Sequence, residues 1–64
     1  MDLIEGINKE IKRCEELVKI YNGIPTGAFG AVMIRNVILK AKLVLKTDDI
    51  VEMVKVCKEL QGCK

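Results

Sequence analysis

Apolar residues recur along the first third of the chain at helical spacing. Between Asp2 and Tyr21 they fall at Ile4, Ile7, Ile11, Cys14, Val18 and Tyr21, at intervals that alternate three and four. This heptad pattern sets one apolar stripe along a helix. Leu3, Leu17 and Ile20 widen the stripe, while Lys9, Glu10, Lys12, Arg13, Glu16 and Lys19 are left to water. Asp2 and Glu5 stand where carboxylates favour a helix start. Asn22-Gly23 is expected to end the helix in the left-handed conformation, and Pro25 stops it from resuming. A helix over about 2–22 follows.

The next segment carries two apolar stripes. After the turn Gly23-Ile-Pro-Thr-Gly-Ala-Phe-Gly30, with Thr26 expected as N-cap, a helix is predicted over about 27–46. Ile34, Val37, Ile38, Ala41, Val44 and Leu45 form a broad face, and Val32, Leu39 and Leu43 form a second one opposite. Arg35, Lys42 and Lys46 separate the two along one edge, and Asn36 with Lys40 along the other. A surface helix of a monomer needs one apolar face. Two faces imply partners on two sides.

Thr47-Asp48-Asp49 restarts the chain, with Glu52 placed three beyond Asp49 as in a capping box. A third helix over about 48–61 is expected to present Ile50, Met53, Val54, Cys57 and Leu60, flanked by Val51 and Val56, and to stop at Gly62. The prediction is all-α: a single domain, 1–64, of three helices in a small bundle or open hairpin.

Size adds to this picture. A domain of about 60 residues buries only roughly 60% of the surface of its unfolded chain, so help is expected from disulfides, a metal or oligomerisation. Three Cys, with no signal-type opening after Met1-Asp2, favour free thiols in a reducing cytoplasmic setting. Without His or a close C-x-x-C pair no metal site is expected. Homo-oligomerisation through Val32, Leu39 and Leu43 is left. No membrane span is expected, because Tyr21–Ile34, the longest uncharged stretch, is broken by Gly and Pro.

Half the residues are apolar, 31% are charged and the net charge is +2, which excludes a disordered chain. There is no His, Ser or Trp, so a Ser–His triad and a His general base are impossible within one chain. Glu15-Glu16 and Asp48-Asp49 read as surface charge and capping, not as acid–base pairs. Cys14, Cys57, Met33 and Met53 read as core. No enzyme activity and no cofactor are expected.

Charge is distributed unevenly. All nine acids lie at or before Glu16 or at or after Asp48, leaving Lys19, Arg35, Lys40, Lys42 and Lys46 in an acid-free centre. Such a centre suits an anionic ligand, or it pairs with acids of neighbouring helices. Within it, Tyr21, Thr26, Gly27, Phe29, Gly30 and Arg35 form a candidate ligand site: glycines and helix N–H groups for a phosphate, a ring to stack on a base, a guanidinium for charge. The alternative is a turn whose glycines allow tight packing, with Phe29 filling the end of the core and Tyr21 covering it. Nucleic-acid binding lacks its usual signs, since there is no helix-turn-helix pattern and little Arg.

Tyr21, the Ile24–Gly30 run, Met33-Ile34 and Asp49 with Met53-Val54 give the chain from about Cys14 to Leu60 a resemblance to short helical bacteriophage and prophage proteins. That resemblance implies a phage-type protein in the host cytoplasm, and by class and size an analogy to oligomeric sponges that sequester nucleotide immune signals. Two functions are therefore expected to compete. One is a non-catalytic oligomer that binds an anionic nucleotide-like molecule. The other is a helical module that inhibits or scaffolds a host protein.

Overall fold

In the computed structural model, which describes residues 2–63, the chain forms α1 (Leu3–Asn22), α2 (Ala28–Val44) and α3 (Ile50–Gln61). No strand occurs among the described residues. Each helix packs against the other two. The end of α1, the start of α2 and the end of α3 meet at Tyr21, Gly30, Gly62 and Cys63, so the helices run up, down and up. The bundle measures 38 × 18 × 16 Å.

The α1 stripe is buried over its middle as its spacing predicts, but Ile4 at its start and Ile20 at its flank are exposed. Ile7, Ile11 and Cys14 are buried, and Leu17, Val18 and Tyr21 pack partly against the core. Asp2 caps the helix by accepting from the Ile4 N–H at 3.0 Å. From α2 the core takes Ile34, Ile38 and Ala41, and from α3 it takes Met53, Val56 and Leu60. Burying side chains of this kind contributes roughly 1.5–3 kcal/mol each for the larger ones. No buried side-chain N or O atom among the described residues lacks a partner.

Several local expectations are corrected. Gly23 is right-handed (φ −80°, ψ −6°), and no described residue has positive φ. The α1–α2 turn instead tightens through Gly23 N–H to Ile20 O and Ile24 N–H to Tyr21 O, both 3.1 Å, then Gly27 N–H to Ile24 O at 2.9 Å. Pro25, which has no N–H, prevents a return to the α1 ladder. Thr26 is not the N-cap of α2. Gly27 takes that place, and no side chain caps the helix. Gly27 is needed on steric grounds, because a Cβ there would overlap the Tyr21 carbonyl oxygen and lie 3.0 Å from its carbon.

Helix α2 stops at Val44, two residues short of the expected Lys46, because Thr47 closes it. The Thr47 hydroxyl donates to Val44 O at 2.7 Å and accepts from the Asp49 N–H at 3.3 Å. Asp49 then accepts from the Glu52 N–H at 3.2 Å, half of a capping box. The Glu52 carboxylate turns to Lys55 instead of back to the cap. On α3 the buried line is Met53, Val56 and Leu60, with Cys57 half-buried, while Ile50, Val51 and Val54 are exposed. The apolar arc of α3 is wider than the groove it fills, so Val56, expected at the flank, becomes central.

Candidate functional site

Among the described residues, α2 carries more exposed large apolar side chains than either other helix, five of eleven, and the one well-exposed ring. The inward side of this helix carries Ala31, Ile34, Ile38 and Ala41, all buried. On its outward side Phe29 is 77% exposed, Leu43 64%, Leu39 53% and Val32 50%. The second apolar stripe read from the wheel therefore faces away from α1 and α3. Met33, expected as core, is also mostly exposed, as is Phe29. Phe29 does not fill the end of the core: it stands on the opposite arc, about 140° from Ile34 and about 180° from Ile38 at 100° per residue.

Two grooves flank α2. The first, about 310 Å³, lies at the end of the bundle and is lined by Tyr21, Gly30, Met33, Val37 and Cys63 among others. Tyr21 is half-buried, and a Cβ at Gly30 would lie 3.7–3.8 Å from its ring. The second, about 270 Å³, runs between α1 and α2 and is lined by Glu15, Val18, Lys19, Arg35, Leu39 and Lys42.

These positions divide the predicted ligand residues. Tyr21 and Gly30 share the first groove, Arg35 lies in the second, and the body of α2 stands between them. Gly27 is buried under the Tyr21 carbonyl, and its N–H is taken by Ile24. Thr26 and Phe29 are exposed and line neither groove. Within one chain the six do not converge on one cavity. Gly27, which read as room for a phosphate, serves the close packing of the turn against Tyr21, while Gly30 would admit a Cβ in ordinary contact with the Tyr21 ring.

The acid-free centre is largely neutralised by the fold. Lys42 pairs with Glu15 at 3.4 Å, Lys40 with Glu59 at 3.1 Å and Lys19 with Glu16 at 3.3 Å. All three pairs are exposed, so each contributes little, about 0–1 kcal/mol. Arg35 and Lys46 have no ion pair among the described residues.

Arg13 has a role that the sequence does not announce. Its Nε bonds Glu10 at 2.8 Å, its Nη1 donates to Cys63 O at 2.9 Å, and its Nη2 donates to Leu60 O at 2.6 Å. The planar fork thus closes the end of α3 from α1, satisfying carbonyls that a helix terminus leaves open. Its partners lie about 50 positions away, so no local pattern could have revealed it; the one hint is that Arg13 is one of only two arginines among eleven basic residues.

Next to it the Cys14 thiol is fully buried and leans on Leu60 O at 3.5 Å. Burial, and then the neighbouring Cys63 thiol, push its pKa up to about 11. Cys14 is therefore a protonated core thiol at neutral pH, poorly suited to act as a nucleophile. Among the described residues no group of three His, Cys, Asp or Glu side chains is placed to hold a metal ion. No helix there is long and apolar enough to cross a membrane. Compared with protein-family models, curated proteins and solved structures, the chain matches none.

Proposed function

We propose that this protein is a non-catalytic interaction module that assembles with copies of itself through the outward face of α2. The observation that carries the reading is the stripe Phe29, Val32, Leu39 and Leu43, each at least half exposed along one side of a single helix. Scattered surface hydrophobics need no explanation, but a contiguous stripe of large side chains is what an interface presents. A chain this small also gains from the extra burial, because association adds to stability by mass action. In a phage setting, an assembly of this kind would offer a repeated surface to a host protein.

A second reading, sequestration of an anionic nucleotide-like molecule, draws on Arg35, which is exposed and has no ion pair among the described residues. It needs the parts now held in two grooves to be combined across subunits. One experiment separates the readings. Melting temperature is followed as protein concentration rises from about 1 to about 100 µM, with and without a panel of linear and cyclic nucleotides. Self-assembly raises it with concentration alone. A concentration-independent value that rises only with a nucleotide supports the second reading and overturns the first.

A further inference from the structure

We infer that two copies of the chain join through α2 as a parallel, in-register, two-stranded seam in which Asn36 meets Asn36. This inference rests on the self-assembly proposed above and specifies its geometry. The outward stripe contains more than its apolar members. Phe29, Val32, Asn36, Leu39 and Leu43 follow one another at intervals of three, four, three and four, and all five are exposed. Two residues three or four apart share a helix face, and an alternation of the two intervals is a coiled-coil seam. Phe29, Asn36 and Leu43 take the first core position of each heptad, and Val32 and Leu39 take the second.

A polar residue in the middle of an apolar stripe argues for a particular occupant. Against an unrelated apolar surface the Asn36 amide would be desolvated with nothing to bond. Opposite its own copy in a parallel pair, each amide offers a donor and an acceptor to the other. An asparagine at this position fixes register and favours two strands, at a cost in stability. The stripe is thus complementary to itself.

Charge beside the seam selects the orientation. Arg35 and Lys42 flank it on the α1 side, and Lys40 flanks it on the α3 side. Lys42 holds Glu15, Lys40 holds Glu59, and Arg35 holds no acid among the described residues. In a parallel pair, opposite flanks meet, so Arg35 comes beside the second copy's Lys40, whose charge Glu59 already offsets, and the two Arg35 side chains are kept apart on opposite sides of the seam. In an antiparallel pair, like flanks meet, so Arg35 and Lys42 of both copies crowd together around two Glu15 carboxylates. Electrostatic complementarity favours the parallel arrangement.

Length and area are sufficient. The seam covers only about two heptads, fewer than an isolated coiled coil needs. Here α2 is already held as a helix by α1 and α3, so association does not bear the cost of helix nucleation. At the exposures found for Phe29, Val32, Met33, Leu39 and Leu43, full coverage of side chains of these sizes would bury about 600 Å² per copy, or roughly 1,200 Å² for the pair, which reaches the lower end of stable interfaces.

Disulfide trapping in the full-length chain tests the geometry. Phe29→Cys and Leu43→Cys are made separately in a Cys57→Ala/Cys63→Ala background whose fold and sedimentation are compared with the native chain first. Under mild oxidation, the parallel seam predicts that each variant alone forms a covalent dimer, with Leu43→Cys dimers at least ten-fold faster than the background. It also predicts that Asn36→Leu tightens association while admitting species larger than a dimer. Crosslinks that appear only when the two variants are mixed would mean an antiparallel pair and overturn the orientation. A native trimer or larger assembly would overturn the two-stranded seam. A native chain that stays monomeric at about 100 µM overturns the self-assembly reading as well, so the two failures are distinguishable.

Discussion

The two faces of α2 both carry apolar side chains and have opposite fates. Inward, Ala31 and Ala41 bracket Ile34 and Ile38, and all four are buried. Outward, Phe29, Val32, Leu39 and Leu43 carry larger side chains on average, and none is less than half exposed. Small residues let neighbouring helices approach closely, so the alanine-bearing side is the one that α1 and α3 can cover. The inward face is also the broader one, since Val37, Val44 and Leu45 pack against the same core, while Asn36 interrupts the outward stripe. Breadth and side-chain volume together leave the bulkier, narrower face for another surface.

Adjacent residues sharpen this comparison most. Ile38→Ala should cost the fold about 2–5 kcal/mol, because it opens a cavity in the core that α2 shares with α1 and α3. Leu39→Ala, one residue on, should change unfolding of the isolated chain by less than about 0.5 kcal/mol. Chemical denaturation at low protein concentration measures both. Equal costs would mean that the outward face is already covered within the chain.

Glycines that look alike in sequence should also diverge. Gly27→Ala meets the Tyr21 carbonyl and should destabilise by about 2–3 kcal/mol, a backbone clash that no rotamer relieves. Gly6, in α1, has nothing within 4 Å of a Cβ, and Gly6→Ala should stabilise by about 0.5–1 kcal/mol. Thermal melts of the two variants decide whether the turn before α2 is built for packing, as the geometry has it.

The core opposite α2 carries its own pH signature. Cys14 is held neutral in the folded state, with its pKa raised from 9.0 to about 11. Below pH 9 the thiol is neutral in both states and its contribution is complete. As pH climbs from 9 towards 11 the unfolded state ionises first, so stability falls, by about 2–3 kcal/mol in full. Urea titrations across that range should show the loss in the native chain and a smaller one in Cys14→Ala. The same burial predicts that Cys57 and Cys63, both half-buried, react with a thiol reagent before Cys14.

A smaller loss concerns the clasp between α1 and α3. Arg13→Lys keeps the charge but loses the fork that reaches Leu60 O and Cys63 O together, and it should cost about 1–2 kcal/mol. Hydrogen exchange should show that cost concentrated in the last turn of α3. A uniform loss across all three helices would assign Arg13 a broader role.

How far the sequence reached depends on the range of the forces involved. The three helices were legible because spacing, capping and Pro25 act within a few residues, and the boundaries moved by only one or two positions. What lay over α2 was also legible as a problem: Val32, Leu39 and Leu43 stood out as a stripe with no cover. Asn36 was read as an edge residue, and only its exposure in line with Phe29 and Leu39 placed it within that stripe. The candidate ligand residues lay within fifteen consecutive positions, Tyr21 to Arg35, yet proximity in sequence did not become proximity in space. A helix turns about 100° per residue, so Gly30 and Arg35 took opposite flanks. Arg13 and the turn at Gly27 depend on contacts made only once the helices meet.

Sedimentation equilibrium tests the role of the outward face most directly. The native chain should behave as a dimer at about 10–100 µM, while Leu39→Lys, which sets a charge in the middle of the stripe, should sediment as a monomer with unchanged helical circular dichroism. A native chain that is monomeric throughout, or a Leu39→Lys variant that dimerises as well as the native chain, would contradict the claim that α2 joins one copy to another.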